Sequence, residues 1–310
     1  MKRWLKRLIL GLVCLVVLAV CAGSLFEIYA RRQAVRDFPP AARMVDIGGR
    51  SLQLDCRGSG SPTVVFESGW GVYGSLAWVT VHDQIAQFTR ACTYSRAGIL
   101  WSDPADDARD GEAVARDLNS LLRRAGEEPP FVLVGHSVGG PYAMIYTKLF
   151  GGDVAGLVLL DATSVDQDPL PNGTNLAVLQ RLYTTIARLM WTGIGRMSVI
   201  ENDGRARYRT VVAYEPTSLA AAGRELEALG QTLEKASAAR ALGQRPLYIL
   251  SGVKGMTAAQ IDARDARRDQ DTWSVVWKRQ NLPDAGHMIH EERPDVVVDA
   301  VKWVMARVRD

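Results

Sequence analysis

The spacing of apolar and polar positions changes several times along the chain, and each change marks a part. Residues 8–26 run for nineteen positions without a charge, with Lys2, Arg3, Lys6 and Arg7 before them and Glu27, Arg31 and Arg32 after. Such a run predicts a helix long enough to cross a bilayer. It reads as a membrane anchor; the alternative is a signal peptide that is cleaved and releases the protein, with Val20, Cys21 and Ala22 as the cleavage site. The basic flank favours an N-terminus in the cytoplasm, so the rest of the chain is expected outside it.

From residue 43 the pattern turns to strands. Met44, Val45 and Ile47, the pair Gly48-Gly49, then Leu52 and Leu54 predict a β-hairpin. Further short apolar runs at 63–67, 91–95, 131–135, 154–160 and 246–250 alternate with helical patterns. One of these, 112–124, sets Val114, Leu118, Leu121 and Leu122 on a single face. Strands apolar on both faces, separated by helices, imply a mostly parallel sheet covered on both sides. Residues 166–242 lack strand runs and read as helices around Gly223 and Gly230. There Leu182, Tyr183, Ile186, Leu189, Met190 and Trp191 suit either an acyl pocket or ordinary core. A charged helix at 258–271, a strand near 275–282, a turn at 283–287 and a helix from 294 close the chain. The expected division is an anchor at 1–33, an α/β core at 34–165 and 243–310, and a helical cap at 166–242.

At 310 residues the chain suits one large α/β domain with an insertion. Net charge is only +3 and the arginines are dispersed among acids, which argues against a nucleic-acid partner. The four cysteines show no C-x-x-C spacing and the four histidines no H-E-x-x-H, so neither a metal nor a cofactor is expected.

The chemistry gathers at residues 131–140. Gly135-His136-Ser137-Val138-Gly139 matches G-x-S-x-G, after a run of strand length and before a helix that Pro141 tolerates in its first turn. Ser137 is the candidate nucleophile. The N–H of Val138, at the start of that helix, is a candidate donor to an oxyanion.

At this point the chain resembles the α/β-hydrolase superfamily. Cys56-Arg-Gly-Ser-Gly60 and Ser95-Arg-Ala-Gly98 match motifs found after the second and fourth strands of some members, over a region from about residue 43 to the C-terminus. The resemblance implies an eight-stranded, mostly parallel sheet with helices on both faces and a cap at the 166–242 insertion. It also implies the chain order nucleophile, acid, histidine, and hence His287 as general base. By family position Trp70 supplies the second oxyanion donor. The family strand order places Cys56 beside Cys92 and implies a disulfide between them, with buried free thiols as the other reading. Ser95 stands where relatives carry aspartate, which implies a looser loop.

The acid itself is read from the residues. No carboxylate occurs in residues 252–261, whereas Asp161 ends an apolar strand at the edge where catalytic groups of open α/β sheets collect. Asp161 is therefore the candidate acid, with Asp166 and Asp262 as alternatives. Asp262 and Asp265 read as members of a solvated helix, His290 as a surface histidine, and His136 as a ring packed beside the nucleophile. The expected function is hydrolysis of a carboxylic ester, or a related acyl bond, of a small or lipophilic substrate. Alternatives are a slow-turnover ligand-binding protein and a carbon–carbon bond hydrolase or perhydrolase. A serine at the elbow argues against epoxide or carbon–halogen chemistry, which in this superfamily uses aspartate there.

Overall fold

The computed structural model describes residues 2–37, 39, 42–165, 176–193, 216–268 and 270–308. Its first helix, α1 (Lys2–Asp37), contains the charge-free run, and by length and composition residues Arg3–Gln33 suffice to cross a membrane. The predicted hairpin forms from β1 (Arg43–Asp46) and β2 (Ser51–Arg57), joined through Gly48 at φ 105° and Gly49 at φ 99°. Only glycine adopts such angles without strain, which explains the paired glycines between two alternating runs.

The remaining strands are β3 (Thr63–Glu67), β4 (Ala91–Tyr94), β5 (Phe131–His136), β6 (Val154–Leu160), β7 (Leu247–Gly252) and β8 (Trp277–Leu282). They make one eight-stranded sheet in the order β1-β2-β4-β3-β5-β6-β7-β8. The β1–β2 and β2–β4 pairs are antiparallel and every later pair is parallel. The alternation of strands and helices predicted the mostly parallel sheet, and the eight strands in this order make the α/β-hydrolase fold that the resemblance implied. In the β2–β4 register Cys56 faces Cys92, and the two are joined in a disulfide.

Period-2 side-chain alternation divides the core between the two faces of the sheet. Val65, Leu133, Leu157 and Leu159 point to one side, where α3 (Gly111–Ala125) and α4 (Gly139–Leu149) cover them. Val64, Phe66, Val132, Val134 and Val158 point to the other, against Val297, Val301 and Val304 of the C-terminal helix Pro294–Val308. Each such side chain contributes about 1.5–3 kcal/mol on burial, so the sheet is the rigid base of the molecule. Helix α3 starts where Asp110 accepts from the amides of Glu112 (3.1 Å) and Ala113 (3.0 Å). It stops at Gly126, φ 73°.

The short helix α2 (His82–Ala86) follows a 3₁₀ turn, Gly74–Trp78. Trp78 fills a pocket between Phe66 and His290 and is fully buried. In the expected cap region the described residues form α5 (Leu176–Leu189), a 3₁₀ turn Met190–Thr192, α6 (Pro216–Glu227) and α7 (Leu229–Ser237). After β7 come α8 (Ala258–Arg268), α9 (Ile289–Glu292) and α10, the helix Pro294–Val308.

Candidate active site

Ser137 lies in the tight turn between β5 and α4, and its φ of 53° puts a non-glycine residue in the left-handed region. Such strain persists only where surrounding bonds impose it. The amide of Ser137 donates to the Leu160 carbonyl (3.0 Å), and the Ser137 carbonyl accepts from the amides of Gly140 (3.0 Å) and Thr163 (3.0 Å). Close packing explains the glycine after it: a β-carbon at Gly139 would overlap the Glu67 carbonyl at the end of β3. The elbow is thus pressed between the ends of β3 and β6.

Asp161, directly after β6, also has a left-handed backbone, φ 41°. Its amide donates to the Leu250 carbonyl (2.8 Å), and its carboxylate is largely buried. Nδ1 of His287 lies 2.7 Å from Asp161 Oδ2. With Nδ1–H donating to the carboxylate, Nε2 keeps its lone pair and can accept a proton. The His287 side chain is 53% exposed, so its ring is open to solvent. His287 also adjoins the elbow. Its ring centroid is 4.7 Å from that of His136, and its carbonyl accepts from His136 Nε2 at 2.9 Å. Sequence reading placed Ser137, Asp161 and His287 in one site, and the structure gathers their backbones around the ends of β5 and β6.

His136 packs beside the candidate nucleophile as expected. Burial first, then the neighbouring His287, pushes its pKa down to about 4. A ring that stays neutral does not oppose a positive charge on the neighbouring His287. His290 departs from expectation: it is fully buried, 4.6 Å from the His136 ring and 4.9 Å from Trp78. Isolated in sequence, it gives no hint of this stack, which depends on α9 folding back under the elbow.

The turn Ser68–Gly71 approaches Ser137 at Gly69, where an added β-carbon would sit 3.2 Å from the Ser137 β-carbon. Next to it Trp70 is half-buried, donates from Nε1 to the Ala222 carbonyl of α6 (2.8 Å) and packs edge-on against Tyr183 of α5 (4.9 Å). Val138 is buried in a cluster with Tyr142, Leu226 and Leu233, with Trp70 and Leu179 against it. Both candidate oxyanion residues therefore contact the helices of the expected cap.

Two arginines complete the site. Arg264 of α8 pairs with the second oxygen of Asp161 and donates to the Gly252 carbonyl (2.6 Å). Arg96 is 2% exposed and reaches Glu67 (2.8 Å), the Ser68 carbonyl (2.8 Å), the Gly69 carbonyl (2.9 Å) and both oxygens of Glu225 on α6 (2.7 and 2.8 Å). Tyr94 donates to the free oxygen of Glu67. Burial pushes the Glu67 carboxyl up to about 7 against the attraction of Arg96. Neither arginine's role was read from sequence, although Arg96 lies in the Ser95-Arg-Ala-Gly98 motif. That motif is not loosened by Ser95. The hydroxyl is fully buried and bonds Gln53 (2.5 Å) and Ser75 (3.2 Å), partners supplied by other elements. Asp262 is exposed and Asp166 lies outside the described residues. Asp265, expected in solvent, instead pairs with Arg279 (2.6 Å) and Asn281 (2.9 Å). Among the described residues the cluster Cys56, Cys92 and Glu127 has metal-like spacing, but the disulfide consumes two of its donors.

Comparison with known proteins agrees with this architecture. Residues 50–300 match the model of the alpha/beta hydrolase family, and the chain belongs to that family. It is similar to the uncharacterized protein YbdG of Bacillus subtilis, 23% identical over 158 residues that cover 51% of this chain and 49% of YbdG. The chain spans about half the length, or less, of YbdG and two further curated relatives. Among solved structures, a thermophilic esterase from Thermogutta terrifontis superposes with TM-score 0.65 at 20% identity, covering 86% of this chain and 99% of the esterase. A Pseudomonas aeruginosa protein assigned as an epoxide hydrolase superposes with TM-score 0.66 at 19% identity, covering 87% and 97%. At these identities the likeness concerns the fold, and family membership supports hydrolase chemistry.

Proposed function

We propose that this chain is a serine hydrolase that cleaves a carboxylic ester, or a related acyl bond, of a small or lipophilic substrate. The observation that carries the reading is the 2.7 Å contact between His287 Nδ1 and Asp161, formed beside a serine in a strained elbow. Ser137 attacks the carbonyl carbon while His287 Nε2 takes the hydroxyl proton, and Asp161 stabilises the resulting imidazolium. The tetrahedral oxyanion accepts from the backbone amides of Val138 and Trp70. Collapse expels the alcohol, to which His287 returns the proton. Water then attacks the acyl-enzyme with His287 again as base. Neither metal nor cofactor enters these steps. The helices between residues 166 and 242 cap the site, α1 anchors the chain in a membrane, and the catalytic domain lies outside the cytoplasm.

One observation favours a second reading. Arg264 shares Asp161 with His287, so the carboxylate has less charge to offer the imidazolium. A protein that binds ligands on this fold and turns over slowly fits that arrangement. The test is ester hydrolysis by the full-length chain in detergent, using p-nitrophenyl esters of graded chain length. Sustained turnover that Ser137→Ala abolishes is the expected result. A single acylation without turnover supports the binding reading, and turnover that survives Ser137→Ala contradicts both.

A further inference from the structure

The expected cap touches the N-terminal helix. A β-carbon on Gly23 of α1 would overlap the Thr192 carbonyl, and one on Gly193 would lie 2.6 Å from the Gly23 carbonyl. Two glycines thus let the 3₁₀ turn after α5 press directly onto α1. A shallow groove beside the contact is lined by Ala19, Val20, Phe26 and Thr192. Glu27, one turn on, is only 2% exposed and pairs with Arg31 at 2.8 Å. The depth of this contact follows from the sequence. Gly23 precedes the last residue of the charge-free run, Phe26, by three positions, about 4.5 Å along a helix. If α1 spans a bilayer, the turn therefore meets it at the boundary between acyl chains and headgroups.

Helix α5 runs into that turn. Its inner face holds Tyr183 against Trp70 and Leu179 against the cluster that contains Val138. Its outer face leaves Leu182 51%, Ile186 40% and Leu189 49% exposed, and Trp191 just beyond it 53% exposed. Positions 182, 186 and 189 share one side of a helix. Arg181 and Arg188, both exposed, border that side. An apolar stripe with a basic flank and a tryptophan at its end is the composition of a helix lying in a membrane interface.

We infer that the outer face of α5, with Trp191, rests in the lipid leaflet from which α1 emerges, so that one helix separates the candidate oxyanion turn from the bilayer. The partner is the bilayer because the face continues through Thr192 into the α1 groove at that boundary. The same geometry favours esters dissolved in the membrane as substrates. This rests on the reading of α1 as a span.

The test uses the full-length chain in phosphatidylcholine/phosphatidylglycerol vesicles, with the exposed free Cys14 and Cys21 changed to serine. An NBD fluorophore is attached in turn through Ile186→Cys, through Leu15→Cys in mid-span, and through Asp299→Cys on the surface of α10. Lipids with a doxyl quencher near the headgroup should quench the Ile186 label several-fold more than the Asp299 label, while mid-chain doxyl quenches the Leu15 label. Equal weak quenching at Ile186 and Asp299, with Leu15 quenched, would overturn the proposal and leave the span standing. A blue-shifted Ile186 label that doxyl lipid does not quench would assign the face to a second copy of the chain and overturn it equally. An unquenched Leu15 label would remove the span reading, and the proposal with it.

Discussion

The strands on either side of β5 each end in a carboxylate, and the two do different work. Asp161 after β6 meets a histidine ring that is 53% exposed; Glu67, the last residue of β3, meets an arginine that is 2% exposed. Where the partner is exposed and titratable, the pair can hold and release a proton during a reaction. Where the partner is a buried guanidinium with its bonds fully used, the pair can only hold geometry. Glu67 and Arg96 fix the Ser68–Gly71 turn, and Glu225 draws α6 into the same network. The elbow thus has a proposed catalytic side and a scaffold side, and each can be broken independently.

The largest expected effect falls on the catalytic side. Asp161→Asn removes the acceptor that selects the His287 tautomer, and kcat should fall by about 10³–10⁴. Thermal stability should fall only modestly, because the amide oxygen can still accept from Arg264 although the charge paired with that guanidinium is lost. Ester kinetics and a melting curve on one preparation check both, and near-normal turnover would transfer the role to Asp166 or Asp262.

On the scaffold side, Arg96→Met should instead lower stability. It strands Glu67 and Glu225 in a buried site, where loss of a partner costs about 3–5 kcal/mol. Denaturant unfolding reads this directly. A loss below about 1 kcal/mol, the level of an exposed pair, would show that water reaches the network.

A smaller effect concerns His136. Its folded pKa of about 4 lies below the unfolded value near 6.5, so the unfolded chain binds the extra proton between these limits. Its contribution is therefore full above pH 6.5 and is lost as pH falls towards 4, on the order of 3 kcal/mol. Unfolding free energies of the wild type and His136→Gln across this range should converge at low pH. A difference that stays constant with pH would contradict the assignment.

The fold was legible because its evidence is local and repetitive. Paired glycines between alternating runs, apolar strands and the spacing of Val114, Leu118, Leu121 and Leu122 each report on one element. Ser137 can be proposed from sequence because the elbow needs glycines at fixed offsets, and Asp161 because the chain after β7 offers no nearby carboxylate. What could not be read is assembled across distant segments. Arg96 finds Glu225 129 residues away, Arg264 finds Asp161 103 residues back, and His290 is buried by Trp78 and His136. Side chains such as these carry no periodic signature. Even Ser95, visible as a departure from the family motif, misled until Gln53 and Ser75 appeared beside it.

The central claim is that Ser137 is the nucleophile. Labelling the full-length protein with a fluorophosphonate and mapping the adduct by peptide mass spectrometry tests it most directly. One adduct is expected, on the peptide containing Ser137, slowed in Asp161→Asn and absent in Ser137→Ala. An adduct on another residue, or undiminished labelling of Ser137→Ala, would contradict it.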